Sequence, residues 1–341
     1  MSQQTPTVGI IANPAAGKDI RRLVAQGRVV SNQEKANILR RVFAGLAAMG
    51  VGRILVMPDM SGLARPAMGD MAESMDVRYL DMPRLEEQDQ STRAARMMAE
   101  SGAGCIVTLG GDGTNRVVAK GCGDVPIVPI STGTNNVFPQ MVEGTLAGMA
   151  AGAVAAGAVD VGAVTVKCKR LEVFVDGDLG DIALIDAAVS RERFVGARAV
   201  WDMGTLGDVF LTRAEPASIG ISSVGSRLRP VGIDEPVGLW IQVGEGDDGK
   251  ASESVQAPIA PGMVAETLIA AWSLMQPGER YLIEQRPGII ALDGEREVSL
   301  LPGQTVEVAL SLDGPRVVIV ESAHRLLAEK RAAGQSTRRS S

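Results

Sequence analysis

Gly104-Cys105-Ile106-Val107-Thr108-Leu109-Gly110-Gly111-Asp112-Gly113-Thr114 is the stretch that decides the fold. Ile106 to Leu109 reads as a short buried strand. It runs into three glycines around one carboxylate, Gly110, Gly111, Asp112 and Gly113, and Thr114 opens a helical stretch closed by Gly121. Glycine at a strand-to-helix turn lets the backbone reach positive φ and approach a ligand closely. The helix start that follows offers free N–H groups to phosphate. A carboxylate in such a cradle repels phosphate, a cost that makes sense if Asp112 handles a proton or a metal. An Asp-Gly pair also marks β-hairpins. Here a strand precedes it and a helix follows, which favours a phosphate loop.

Outward from this turn, residues 7–12, 53–57, 77–80 and 126–130 read as strands. Residues 35–49 carry Ile38, Val42, Leu46 and Met49 at helical spacing, and residues 91–101 form a second helical stretch. Strands alternating with helices imply a mostly parallel sheet covered on both faces. Ligands of such sheets sit beyond the carboxyl ends of the strands. Three loops leave those ends. In the first, Asn13-Pro14-Ala15-Ala16-Gly17-Lys18, Pro14 fixes one φ angle and Gly17 can turn. It lacks the GxxxxGK[ST] spacing of a Walker loop, and an ordinary strand-to-helix connection is its plain alternative. The second is the Gly110–Thr114 turn. The third, Ser131-Thr132-Gly133-Thr134-Asn135-Asn136, offers hydroxyls and amides to ribose or phosphate oxygens. Helix capping uses the same residue types.

From residue 159 the pattern changes to short strands at residues 159–167, 170–175, 182–190, 239–243, 281–284, 288–292, 305–310 and 316–320, separated by Gly-rich turns. This predicts an α/β plus all-β chain: an N-terminal Rossmann-like parallel α/β domain (1–145), a C-terminal β-sandwich-like domain (146–320), and a C-terminal helix with a disordered basic tail (321–341). Asp186 interrupts an apolar run, and a buried carboxylate is costly unless paired or ligand-bound. A site residue and a solvent-facing strand residue both fit it. Asp293-Gly294-Glu295 reads as a turn of the hairpin kind.

Composition narrows the function classes. A chain of 341 residues suggests two domains. Aromatics at 3% and a net charge of −6 argue against nucleic acid as partner. No apolar run is long enough to span a membrane, and the polar start carries no secretion signal. Cys105, Cys122 and Cys168 are odd in number without CxxC spacing, which reads as reduced thiols in a cytoplasmic protein. The single His324 excludes a His-rich metal site. Small-molecule nucleotides are the expected partners, and homo-oligomerisation stays open.

In order, these segments resemble the ATP-NAD kinase superfamily, which also holds the diacylglycerol-type lipid kinases. Gly110-Gly111-Asp112-Gly113-Thr114 is its most specific motif. Asn13-Pro14-Ala15-Ala16-Gly17 and Gly133-Thr134-Asn135-Asn136-Val137-Phe138 are similar to lipid-kinase loops, with Val137 where an acid is usual. Ala183-Leu184-Ile185-Asp186 sits where NAD kinases carry Ala-Leu-Asn-Glu. Residues 257–262 look like their Pro-Ile-x-Pro-His stretch with Gly262 for His, and residues 290–295 resemble the late Asp-Gly motif. The mixture is most similar to the acetoin catabolism protein X subgroup of predicted NAD kinases.

The resemblance implies ATP, or polyphosphate, with Mg²⁺ in a cleft between an α/β and a β-rich domain. It implies transfer of a phosphoryl group to the adenosine-ribose 2′-hydroxyl of NAD. Asp112 is then the catalytic base. Asn13, Pro14, Gly17, Gly110, Gly111, Gly113, Thr114, Thr132, Gly133, Thr134 and Asn136 are phosphate contacts. Asp186, Ser222 and Ser223 are acceptor contacts, with Asp293, Gly294 and Glu295 nearby. The metal is expected to arrive with ATP, not in a protein-built cage. A lipid kinase and a non-catalytic nucleotide-binding regulator are the competing readings.

Overall fold

The structure, a computed structural model, describes residues 5–16, 30–71, 75–83, 89–133, 136–190, 203–246, 249–284, 288–294 and 296–339. The first sheet holds β1 (Thr7–Ala12), β2 (Arg53–Val56), β3 (Asp76–Tyr79), β4 (Cys105–Gly110) and β5 (Ile127–Ser131), parallel and in the order 3-2-1-4-5. The alternation in β1 explains both of its faces. Val8, Ile10 and Ala12 enter one core with α1 (Asn32–Ala48), α2 (Arg65–Met71) and α5 (Gly144–Ala155). Ile11 enters the other with α3 (Asp89–Glu100) and α4 (Asp112–Ala119). A strand buried on both faces needs such a continuous apolar run.

The strand order reverses between β1 and β4, and open α/β sheets bind ligands in the crevice at that switch point. The two loops leaving β1 and β4 are neighbours there: the Asn13 N–H donates to the Leu109 carbonyl at 2.9 Å.

The expected boundary after residue 145 falls inside α5, which packs on α1 and the first sheet. A Cβ on Gly148 would lie 2.1 Å from the Val42 carbonyl oxygen, so only glycine allows this helix crossing. The stretch expected as strand from residue 159 begins instead with a helical turn, α6 (Val161–Val164), capped by Asp160, before β6 (Thr165–Lys167). The second domain then runs through β7 (Arg170–Val175), β8 (Asp178–Ala183), β9 (Asp186–Ser190), β10 (Leu206–Leu211), α7 (Ile221–Leu228), β11 (Gly238–Val243), β12 (Glu253–Ala260), β13 (Met263–Met275), β14 (Arg280–Leu282), β15 (Gly288–Leu292), β16 (Arg296–Leu300) and β17 (Val306–Ser311). Seven of these strands make one antiparallel sheet, 12-13-11-10-9-15-16, and four make another, 14-17-7-8. Leu171, Val173, Val306 and Val308 of the small sheet share a core with Ala187, Val189, Ile290 and Leu292 of the large one, which is sandwich packing.

The chain then returns. β18 (Arg316–Val318) joins the first sheet beside β5, and α8 (Val320–Arg339) follows it. So a strand expected in the second domain belongs to the first. The basic tail expected to be disordered at the end of residues 321–341 is helical through Arg339.

Candidate active site

Gly111 is the N-cap of α4, and Asp112 is its first residue, two positions before the helix start expected at Thr114. A carboxylate there gains from the helix dipole, which offsets part of its burial cost. The Asp112 side chain turns onto the third loop. The Val137 N–H donates to both its oxygens at 3.1 Å, and the Phe138 N–H to Oδ1 at 2.8 Å. The second domain holds the same loop from its other side. Arg213 donates to the Val137 carbonyl at 2.7 Å and lies 5.6 Å over the Phe138 ring. Asp112 therefore stands at the junction of the two domains. Burial, with Asp293 across from it, raises its pKa to about 7, against the pull of those N–H groups and Arg213.

Asp293 sits at φ 50°, a left-handed turn position that non-glycine residues rarely take. Its turn does join β15 to β16 as a hairpin, with Gly294 at φ 68°. Its carboxylate leaves the hairpin and accepts from the backbone N–H groups of Leu184 (2.9 Å), Ile185 (2.7 Å) and Asp186 (3.2 Å). Asp186 answers with its carbonyl, 2.9 Å from the Asp293 N–H, so it lies buried beside Asp293. Burial raises the Asp293 pKa, opposed first by Arg116 and then by the three N–H groups.

Arg116 is 1% exposed and one helical turn beyond Asp112. Its guanidinium lies 3.6 Å from Asp181 and 3.8 Å from Asp293, both in the second domain. Lys120, a further turn along, pairs with Asp181. Positions 112, 116 and 120 form one stripe of α4 at i, i+4 spacing. That periodicity was visible in the sequence, and the acidic partners were not.

The described parts of the three loops are neighbours. The Asn13 amide donates to the Thr114 hydroxyl at 3.0 Å, tying the first loop to the second. The Asn136 amide donates to the Ser131 hydroxyl at 2.9 Å, and its Oδ1 lies 2.9 Å from where a Cβ on Gly111 would sit. The same amide would meet a Cβ on Gly133 at 2.5 Å, so a side chain at either glycine would push the Asn136 amide from its place. The Thr132 hydroxyl is fully buried with no hydrogen-bond partner among the described residues. Orphaned hydroxyls beside a helix N-terminus suit oxygen-rich ligands. Gly17, Thr134 and Glu295 lie outside the described residues.

Ser222 and Ser223 do not line a cleft. Both are 1% exposed. Ser222 donates to the Arg213 carbonyl at 3.1 Å, and Ser223 to those of Gly220 (2.6 Å) and Pro258 (3.0 Å). They lie on α7, whose Ile221, Val224 and Leu228 recur at helical spacing. Ser222 thereby fixes the segment that carries Arg213, and Ser223 ties α7 to β12.

Lys35 and Arg213 went unnoticed in the sequence. Lys35 is buried beneath the first loop, and a lone lysine in a helical stretch gives no sign of that. Among the described residues no group of three or more His, Cys, Asp or Glu is placed to hold a metal ion. The three cysteines are buried free thiols, and burial pushes Cys105 up to about 12. No helix among the described residues is long and apolar enough to cross a membrane.

A parallel sheet carrying a glycine-flanked Asp at its switch point, closed by an antiparallel β domain, is an arrangement of the ATP-NAD kinase type. Residues 8–158 match the family described as ATP-NAD kinase N-terminal domain, and residues 169–313 match the acetoin catabolism protein X C-terminal domain. The acetoin catabolism protein X of Cupriavidus necator is 42% identical over 320 residues, 91% of this chain and 89% of that protein. The chain belongs to the acetoin catabolism protein X family. A solved structure from Bacillus anthracis, described as a candidate diacylglycerol kinase, covers 92% of this chain and 98% of its own at 14% identity, with a TM-score of 0.39.

Proposed function

We propose that this protein transfers the terminal phosphoryl group of ATP to the 2′-hydroxyl of the adenosine ribose of NAD, giving NADP, in a setting of acetoin catabolism. One observation carries the reading: a buried carboxylate, Asp112, at a helix start on the domain junction, with a pKa near neutrality. A base is most effective when its pKa lies near the working pH. The Asp112 oxygens already take two backbone N–H groups, which fix the carboxylate's direction and leave it acceptor capacity for an alcohol proton.

Asn13, Gly111, Gly113, Thr114 and the Thr132 hydroxyl would hold the triphosphate. When bound, Mg²⁺ with the triphosphate supplies charge neutralisation, the larger part of phosphoryl-transfer catalysis. Asp112 receives the proton of the incoming hydroxyl. Arg213 keeps the Val137–Phe138 loop, and with it the carboxylate, in place.

Labelled ATP offered with NAD and with diacylglycerol in parallel tests this. The expected result is NADP from the wild type, at a rate rising with pH through about 7. Asp112→Asn should lower kcat by about 10²–10⁴-fold. A lipid product without NADP would overturn the acceptor. Tight nucleotide binding with no transfer to either acceptor would overturn the enzyme reading.

A further inference from the structure

Lys35, on the first turn of α1, is 0% exposed. Its ammonium donates to three carbonyls of a single loop, those of Asn13 (3.0 Å), Pro14 (3.0 Å) and Ala16 (2.8 Å). An ammonium carries three protons and no acceptor, so it can serve several carbonyls at once. Burying a charge costs several kcal/mol unless every hydrogen bond is made, so this lysine is built into the loop. From there the order passes on. Asn13 accepts from the Ala15 N–H at 2.8 Å through its side chain and donates to the Thr114 hydroxyl at 3.0 Å. Lys35 is thus two steps from the turn that carries Asp112.

We propose that Lys35 is a positioning residue for polyphosphate: it gathers the carbonyl oxygens of the first loop onto a buried cation, so that the loop meets an anion without their repulsion. The identity of that anion as the triphosphate of ATP rests on the function proposed above. Carbonyl oxygens are the negative ends of peptide dipoles, and three of them free beside a phosphate would oppose its binding. Drawn onto Lys35, they are neutralised. A neutral amide has only two donors and could not satisfy three carbonyls.

The test uses the full chain with Lys35→Met and Lys35→Gln. Titration calorimetry with inorganic tripolyphosphate, MgATP and NAD is combined with hydrogen exchange over residues 10–16 and steady-state kinetics. Both variants should bind tripolyphosphate and ATP about 10–100-fold more weakly and raise the KM for ATP in step. The KM for NAD should stay within about twofold, with kcat reduced far less than in Asp112→Asn. Exchange over residues 10–16 should rise in the variants. In the wild type, tripolyphosphate should slow it, a measurement that stands even if the variants fold poorly. Polyphosphate binding unchanged in both variants, an equal loss for ATP and NAD, or no protection of the loop in the wild type would overturn the proposal. Wild type that binds tripolyphosphate at this loop but never forms NADP would sink the proposed function and leave the role of Lys35 standing.

Discussion

Asp112 carries a proton affinity that links function to stability. Its folded pKa of about 7 lies above the ordinary carboxylate value of 3.8, because burial and Asp293 both disfavour the charged form. Between those values the folded state binds more protons than the unfolded chain, so this residue's contribution to stability falls as pH rises from about 4 to 7. Asp112→Asn removes that dependence. The melting temperature of the wild type, relative to the variant, should drop between pH 5 and pH 8. A constant difference across that range would mean that Asp112 is not buried at the junction. The sequence exposed Asp112 because glycines flank a lone acid between a strand and a helix. Its local pattern showed Asp293 only as a hairpin turn, and the family resemblance alone set it near the site. The N–H groups it accepts from are more than a hundred residues away, and no local pattern records them. Ser222 and Ser223 misled for the opposite reason: small polar residues fit a ligand loop and the buried first turn of a helix equally well, and only packing decides.

At the scale of elements, α4 does two jobs with one face. Its first residue presents the carboxylate, and its next two turns present Arg116 and Lys120 to Asp181 and Asp293. The helix is therefore the joint between domains as well as the platform of the site. Removing one member of a buried ion pair leaves an uncompensated charge and costs about 3–5 kcal/mol. Asp181 keeps Lys120 as a partner, so the loss should fall mainly on Asp293. Arg116→Met should lower unfolding free energy by about 3 kcal/mol, and Asp293→Asn in the same chain should restore part of it. A double-mutant cycle in chemical denaturation reads this coupling, and strictly additive losses would show that the two groups do not interact. The five parallel strands of the first sheet and the helices α1, α3 and α4 were legible in the sequence, whereas α2 and the place of β18 in that sheet were not. The boundary at α5 was not, because an Ala- and Gly-rich helix has no polar face to show which domain it serves, and its glycines register only when α1 is set against it.

The whole molecule is one chain that leaves the first sheet and comes back to it. β18 pairs with β5 in parallel, one side of it, and with β6 in antiparallel on the other. Without β18, β5 would become an open edge and the large second domain would hang from a single connection. α8 then covers the core between α5 and α6: Ala323 is fully buried, and Leu326 and Leu327 pack against the same cluster as α1. Its Lys330 ammonium reaches the Ala158 carbonyl at 2.8 Å, and the His324 ring nitrogen lies 3.0 Å from the Leu146 carbonyl. Burying each large apolar side chain is worth about 1.5–3 kcal/mol. Val317 and Val318 are buried and Leu326 and Leu327 partly buried, so losing them would take away a large share of the net stability of an ordinary domain. Ending the chain after Gly314 should give a protein that exposes a sticky sheet edge and aggregates. Ending it after Ala333 should keep every contact named here and leave the melting temperature within about 2 °C, since surface changes shift stability by only about 0.5 kcal/mol. Thermal melts and size-exclusion profiles of the two truncations decide the matter. A soluble, cooperatively melting chain ending at Gly314 would show that the first sheet closes without its last strand, and that the return of the chain is a tether and not part of the fold.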